Sequence, residues 1–99
     1  MSQCIFTLEA EQDLKNIADY TFEKWGLSQA ITYSENLDMC FEKIANRDVV
    51  AKRLSLNNPD LFYLLCQKHY IFYLDGNPPI IIAVLHQSMD FVNHLNQRI

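Results

Sequence analysis

Apolar and polar positions change period several times along the chain, and the changes mark out its elements. Cys4-Ile5-Phe6-Thr7-Leu8 is a short β-like run. From Ala10 onward, Leu14, Ile17, Ala18, Thr21, Phe22 and Trp25 recur at the spacing of one helical face. Thr7 is suited to cap that helix, and Glu9, Glu11 and Asp13 place acids in its first turns, where the helix dipole favours them. Gly26 is suited to end it in the left-handed αL conformation. A second helix, capped by Ser28, would bury Ala30, Ile31, Ser34, Leu37, Phe41, Ile44 and Ala45. Tyr33 and Cys40 widen its apolar face toward a second contact. A link of one to three residues requires the two helices to form an antiparallel hairpin.

Between Asn46 and Asp60 the period is lost. Val49, Val50, Leu54 and Leu56 are scattered, and Asn57-Asn58-Pro59-Asp60 is a turn signal, so this segment reads as a loop with room for one short strand or helical turn. Leu61–Cys66 and His69–Leu74 are strand-like and separated only by Gln67-Lys68, which requires a tight hairpin, although the Gly or Asn such turns prefer is missing. Asp75 to Pro79 makes a second reversal, with Gly76 expected at positive φ. Ile80–Leu85 is apolar on both faces, as in a strand covered on both sides, so residues 69–90 hold the centre of the sheet. Phe91, Val92, Leu95 and Ile99 predict a short C-terminal helix. The fold class is α+β: an N-terminal strand, then an antiparallel helical hairpin packed on an antiparallel sheet, within one domain over residues 1–99.

With 49% hydrophobic residues and 12% aromatic, the chain can bury a core of its own. The longest apolar run is too short to cross a membrane, and Met1-Ser2-Gln3-Cys4 lacks the basic and apolar regions of a signal peptide, so a cytoplasmic location with no membrane partner is expected. Cys4, Cys40 and Cys66 are odd in number, contain no CxxC pair and sit in apolar patterns; they read as unpaired structural thiols in a reducing compartment. The net charge of −4 is uneven, with the acids concentrated in residues 9–48. Only Lys52-Arg53 forms a basic pair, which argues against direct, sequence-specific nucleic-acid binding.

Two glycines exclude the glycine-rich phosphate motifs, and no GxSxG or HExxH is present. The three histidines and three cysteines lack zinc-site spacing, so neither metal nor cofactor is expected. An acid–base site on the sheet would draw on His69, His86, Asp90, Tyr63, Tyr70, Tyr73, Lys52, Arg53 and Lys68. A structural role stands beside each of these. His86 can bond to nearby backbone or to Asp90, and Phe62, Tyr63, Tyr70, Phe72 and Tyr73 read as cross-strand packing more readily than as base-stacking platforms.

The pattern Leu8-Glu9-Ala10-Glu11-x-Asp13-Leu14-Lys15-x-Ile17-Ala18-x-Tyr20-Thr21-x-x-x-Trp25-Gly26 resembles the first helix of ParE-type toxins in the ParE/RelE superfamily. His69-x-Ile71-Phe72-Tyr73 and Leu85-His86-Gln87-x-Met89-Asp90 resemble that family's closing strands. The resemblance runs over about residues 5–95 in order and spacing. It implies a bacterial toxin of a type II toxin–antitoxin pair, used in growth inhibition and plasmid stabilisation and neutralised by a cognate antitoxin. ParE-like members poison DNA gyrase; RelE-like members cut mRNA on the ribosome. In the RelE-like alternative the catalytic candidates are Lys52, Arg53, Tyr73 and His86. Partner-binding candidates are Tyr33, Leu37, Cys40, Phe62, Tyr63, Tyr70, His86, Met89 and Asp90. The wide face of the second helix reads either as an antitoxin groove or as ordinary core. Where the family commonly has an Arg, three residues before the His, this chain has Ala83. That departure and the acidic balance favour the gyrase-directed, non-enzymatic branch, with a detoxified antitoxin-binding relative as a further alternative.

Overall fold

A computed structural model describes residues 3–54 and 58–98, so Met1, Ser2, Leu56, Asn57 and Ile99 of the sequence reading lie outside the described residues. The elements run β1 (Ile5–Phe6), α1 (Leu8–Trp25), α2 (Leu27–Ala45), β2 (Lys52–Arg53), β3 (Leu61–Cys66), β4 (His69–Leu74), β5 (Ile80–His86) and α3 (Phe91–Asn96). The strands form one sheet in the order β1-β5-β4-β3-β2. Its body is antiparallel as expected, but β1 pairs parallel to β5 at one edge, Ile5 opposite Ile80 and Phe6 opposite Ile81. The helical hairpin covers one face of the sheet and α3 the other, which is why Ile81–Leu85 are all buried. Leu37, Phe41, Ile44, Ile71, Tyr73, Ile81 and Val84 pack under the hairpin. Leu61, Phe72, Ile82, Ala83, Leu85 and Leu95 pack under α3.

Local chemistry accounts for most element ends. The Ala10 N–H donates to Thr7 Oγ1 at 3.1 Å, the expected N-cap. The hairpin turn is tighter than the sequence suggested. Gly26 alone joins the helices, ending α1 and opening α2, so Ser28 lies inside α2 rather than capping it. Its φ of 92° and ψ of 176° fall outside αL, in a region open essentially to glycine. In the β3–β4 turn Gln67 takes φ 59°, the left-handed residue that a two-residue connection demands where Gly or Asn is absent. Gly76 does not use positive φ; the second reversal runs through a cis Asn77–Pro78 bond instead.

Two further expectations change. Cys40 of α2 and Cys66 of β3 form a disulfide, their Cα atoms 6.6 Å apart. Only Cys4 is a free thiol, half-buried and donating to the Phe41 carbonyl at 3.3 Å, with burial raising its pKa. The pairing arises because α2 lies across the end of β3, a contact that a separation of 26 residues conceals in the sequence. The helical stripes also end early: Phe22 (53% exposed), Trp25 (64%) and Ile31 (50%) are not buried. At 1.5 Å per residue the helices run about 27–28 Å, against about 20–23 Å for the longer strands, so the hairpin overhangs the sheet at its turn.

The two edges of the sheet are treated differently. Beyond β1, the β5 edge is closed by side chains from opposite layers. The Val84 N–H donates to Asp13 Oδ2 at 2.9 Å, and Arg98 Nη1 donates to the Ile82 carbonyl at 3.0 Å. Asp13 and Arg98 also form a bidentate pair of 2.7 and 2.9 Å, their side chains only 11% and 16% exposed. The Asp13 carboxylate pushes the Arg98 pKa further up, so the guanidinium stays charged. Asp13→Ala would leave this part-buried cation without its carboxylate, holding only the Ile82 carbonyl, and the Val84 N–H without its acceptor. It is expected to lower unfolding stability by about 3 kcal/mol, read as the urea midpoint, with Asp13→Asn losing less because it keeps an acceptor. Gly26→Ala is expected to cost about 1–3 kcal/mol in the same measurement, through backbone conformation alone, since nothing lies within 4 Å of an added Cβ.

Candidate functional site

The proposed nuclease residues are distributed over the sheet rather than gathered. Arg53 of β2 sits opposite Phe62, its guanidinium carbon 5.5 Å from the ring centroid, and Phe62 stacks on Tyr73 at 6.0 Å. Tyr73 is buried, and burial, with Asp75 nearby, raises its pKa. Lys52, adjacent in β2, points to the other face by strand alternation. His86 ends β5 opposite His69, four residues along β4 from Tyr73. Arg53 and His86 therefore lie about 13 Å apart along the strands and three inter-strand steps of about 4.8 Å across them. A single phosphodiester cannot touch both.

His86 belongs to a separate polar cluster at the β3–β4 turn. The Lys68 N–H donates to Tyr33 Oη at 3.1 Å, so the Tyr33 hydroxyl is left to donate to His69 Nδ1. The His69 ring stands edge-on to His86, centroids 5.2 Å apart. The Ser88 N–H donates to His86 Nδ1 at 3.1 Å, the local backbone bond the sequence allowed for a strand-end histidine. Both imidazoles thus accept at Nδ1 and carry their proton on Nε2. Burial, then the adjacent His86, lowers the His69 pKa to about 4, while burial raises that of Tyr33. The cluster ties α2 to the sheet through Tyr33, Lys68 and His69. Ser88 Oγ also lies 2.7 Å from His86 Nδ1, so the Nδ1 atoms of both rings are already engaged locally.

The aromatic stripe divides by face. Tyr63, Tyr70 and Phe72 meet Phe91 of α3 with centroids 5.3–6.3 Å apart, while Phe62 and Tyr73 face the hairpin. These rings are occupied with one another. Of the partner-binding candidates, Leu37 is corrected: it is 2% exposed and packs in the core between hairpin and sheet. Cys40 is tied to Cys66, Met89 is exposed, and Asp90 flanks α3 and accepts from the Asn93 side chain at 2.7 Å. Ala83 is fully buried among Phe72, Leu85 and Leu95, so a long side chain there would collide with the layer under α3. The sequence reading missed the exposed apolar residues of the hairpin end, Phe22, Trp25, Leu27 and Ile31. The excess of helix length over strand length was the available signal. Among the described residues, no group of three or more His, Cys, Asp or Glu is placed to hold a metal, and no helix is long and apolar enough to cross a membrane.

Comparison with known proteins bears on this arrangement. The family model described as ParE toxin of type II toxin–antitoxin system, parDE, matches residues 4–91. The chain belongs to the ParE toxin family. It is 35% identical over 101 residues to Toxin ParE of Escherichia coli, covering 100% of this chain and 98% of that one. It is also 35% identical to Toxin ParE1 of Caulobacter vibrioides, over 87% of this chain and 90% of the relative. Among solved structures, the chromosomal ParDE system from P. aeruginosa superposes with a TM-score of 0.72 at 14% identity, covering 87% of this chain and 96% of that one. The YoeB dimer from Staphylococcus aureus superposes with 0.60 at 14% identity, covering 86% and 95%. At that identity the structural matches speak to the fold alone, and both are ParE/RelE-like. As a ParE toxin, the protein is the toxin component of a type II toxin–antitoxin system.

The depressed His69 pKa has a pH consequence. Unfolded, His69 binds a proton near pH 6.5; folded, only near pH 4, so between those values the unfolded chain holds more protons and stability falls as the pH drops. Urea midpoints measured at pH 7 and pH 5 are expected to differ more in the wild type than in His69→Gln. Equal differences would remove His69 from the pH response.

Proposed function

We propose that this ParE toxin arrests growth by binding DNA gyrase through protein–protein contacts, in the cytoplasm, and that its antitoxin neutralises it by covering the overhanging end of the helical hairpin. The observation that carries the non-enzymatic reading is the separation of Lys52, Arg53, Tyr73 and His86. General acid–base and phosphate-stabilising groups must converge within hydrogen-bond reach of one scissile bond, and these groups stand on different faces and at different ends of the sheet. What supports the hairpin end as the antitoxin surface is its exposed apolar content on consecutive helical turns, Phe22 with Trp25 and Leu27 with Ile31. Large aromatic side chains in such positions supply most of the energy when a partner helix is laid on them.

Purified toxin added to gyrase is expected to abolish supercoiling or accumulate cleaved DNA, and to leave ribosome-bound mRNA intact. Full supercoiling at saturating toxin would contradict the gyrase reading. Codon-positioned mRNA cuts would favour the nuclease branch. A toxin harmless on expression and inert in both assays would be the detoxified relative that Ala83 brings to mind. Trp25→Ala with Ile31→Asp is expected to weaken antitoxin binding by more than about tenfold while leaving the melting temperature nearly unchanged, because both side chains are half exposed or more.

A further inference from the structure

The Cys40–Cys66 bond belongs to a protein whose place of action is read above as the cytoplasm. Thiols there are kept reduced, and the disulfides that do form are mostly transient or redox-sensing. The two sulfurs of this bond are not equivalent. Cys66 is 3% exposed and packs in the core with Leu37, Ile71 and Val84. Cys40 is partly exposed and opens on a groove of about 490 Å³, which Lys43, Asp48 and Lys52 also line. An attacking thiolate can therefore reach the Cys40 sulfur and not its partner, and access of this kind decides which disulfides exchange.

The fold also accommodates the opened bond. Leu37 and Phe41, on either side of Cys40 in α2, are buried, and Tyr33 accepts from the Lys68 N–H, so α2 stays seated without the sulfur tether. The Asn36 carbonyl lies 3.7 Å from Cys66 Sγ, an acceptor for the S–H that reduction creates there. Lys43 follows Cys40 by three residues on the same side of α2, and with Lys52 it outweighs Asp48 on a chain whose total charge is −4. That lining stabilises a Cys40 thiolate and favours an incoming thiol that carries carboxylates. Cys4 stands apart from the pair. Its S–H donates to the Phe41 carbonyl, and it lines a different groove with Asn77 and Pro79.

We propose that Cys40 and Cys66 form a reversible thiol–disulfide exchange site for an anionic low-molecular-weight thiol of the glutathione type, with Cys40 as the sulfur attacked. In reduction the incoming thiolate bonds to Cys40 Sγ, the Cys40–Cys66 bond breaks, and Cys66 leaves with the bonding pair. A second thiolate then bonds to the outer sulfur of the mixed disulfide, and Cys40 leaves in turn. Two thiols thus become one small disulfide, two electrons pass to the protein, and the two thiol protons end on Cys40 and Cys66. Oxidation by the small disulfide is the reverse. Closing the bond ties α2 to β3 across a separation of 26 residues and restrains the connection that carries β2. The exchange stands whichever target the toxin has; only its cytoplasmic setting rests on the reading above.

The test equilibrates the full-length toxin with mixtures of reduced glutathione and glutathione disulfide, quenches with acid, and counts free thiols by alkylation in denaturant and mass spectrometry. Three free thiols are expected in a large excess of reduced glutathione, and one, Cys4, in an excess of the disulfide. One free thiol in both mixtures would make the bond a permanent staple and overturn the inference. Three in both would mean that the bond does not form, and overturn it equally. The oxidised toxin is expected to melt about 10 °C or more above the dithiol, and coincident melting would overturn the tether. Glutathione disulfide is expected to load Cys40 in Cys66→Ser at least about tenfold faster than Cys66 in Cys40→Ser; equal rates would overturn the role of Cys40. Should either variant fail to fold, the thiol counts and melting of the wild type still decide. Lys43→Glu with Lys52→Glu is expected to slow reduction by glutathione about threefold or more, and reduction by uncharged mercaptoethanol less; equal slowing would overturn the preference for an anionic thiol. Exchange is read on the purified protein, so its failure is separate from failure of the cytoplasmic reading, which thiol trapping in growing cells tests.

Discussion

The bidentate pair between Asp13 and Arg98 is the interaction on which the arrangement of layers turns. Asp13 comes from the hairpin and Arg98 from the end of the chain beyond α3, so the pair joins the two layers that sandwich the sheet. Each partner also bonds the β5 backbone, Asp13 at the Val84 N–H and Arg98 at the Ile82 carbonyl. A nearly buried ion pair of this kind adds little net stability over an apolar substitute, but losing one member is costly. Its effect here is geometric. It closes a sheet edge that a two-residue β1 leaves uncovered, and unpaired edges invite strand addition by other chains.

With that edge closed and both sheet faces covered, the overhanging hairpin end, where Trp25 and Leu27 are exposed, and the edge of β3 beside Leu65 stand out as surfaces among the described residues. The polar groups one would enlist for RNA cleavage serve packing instead. Arg53 lies over Phe62, Tyr73 is buried against that ring, and the two histidines tie α2 to the β3–β4 turn through Tyr33 and close on the local backbone through Ser88. As the toxin of a type II toxin–antitoxin system, the protein has an antitoxin as its partner.

The order of elements, the hairpin and the three central strands could be read from the chain because each depends on local period and turn chemistry. Thr7 as a cap and the doubly apolar run of β5 are cases where a few neighbouring residues determine the outcome. What escaped reading depends on where distant segments meet. The Cys40–Cys66 bond follows from α2 crossing the end of β3, and the exposure of Trp25 from helices longer than the strands they cover. Leu37 follows the helical period faithfully and for that reason lies in the core, not on a partner surface. The candidate site residues were identifiable as residue types. Their dispersal was not, because strand register and face are set by pairing between β2, β3 and β4.

The asymmetry of the two edges is best measured by amide hydrogen exchange in the free toxin, followed by NMR at Val84 and Leu65. Both are edge residues, and among the described residues the Val84 N–H has an acceptor while the outward backbone of Leu65 has none. Slow exchange at Val84 with exchange at Leu65 near the rate of an exposed amide is the predicted result. Equal protection at the two positions, or a Val84 amide that exchanges as fast as Leu65, would contradict a sheet closed on one side and open on the other.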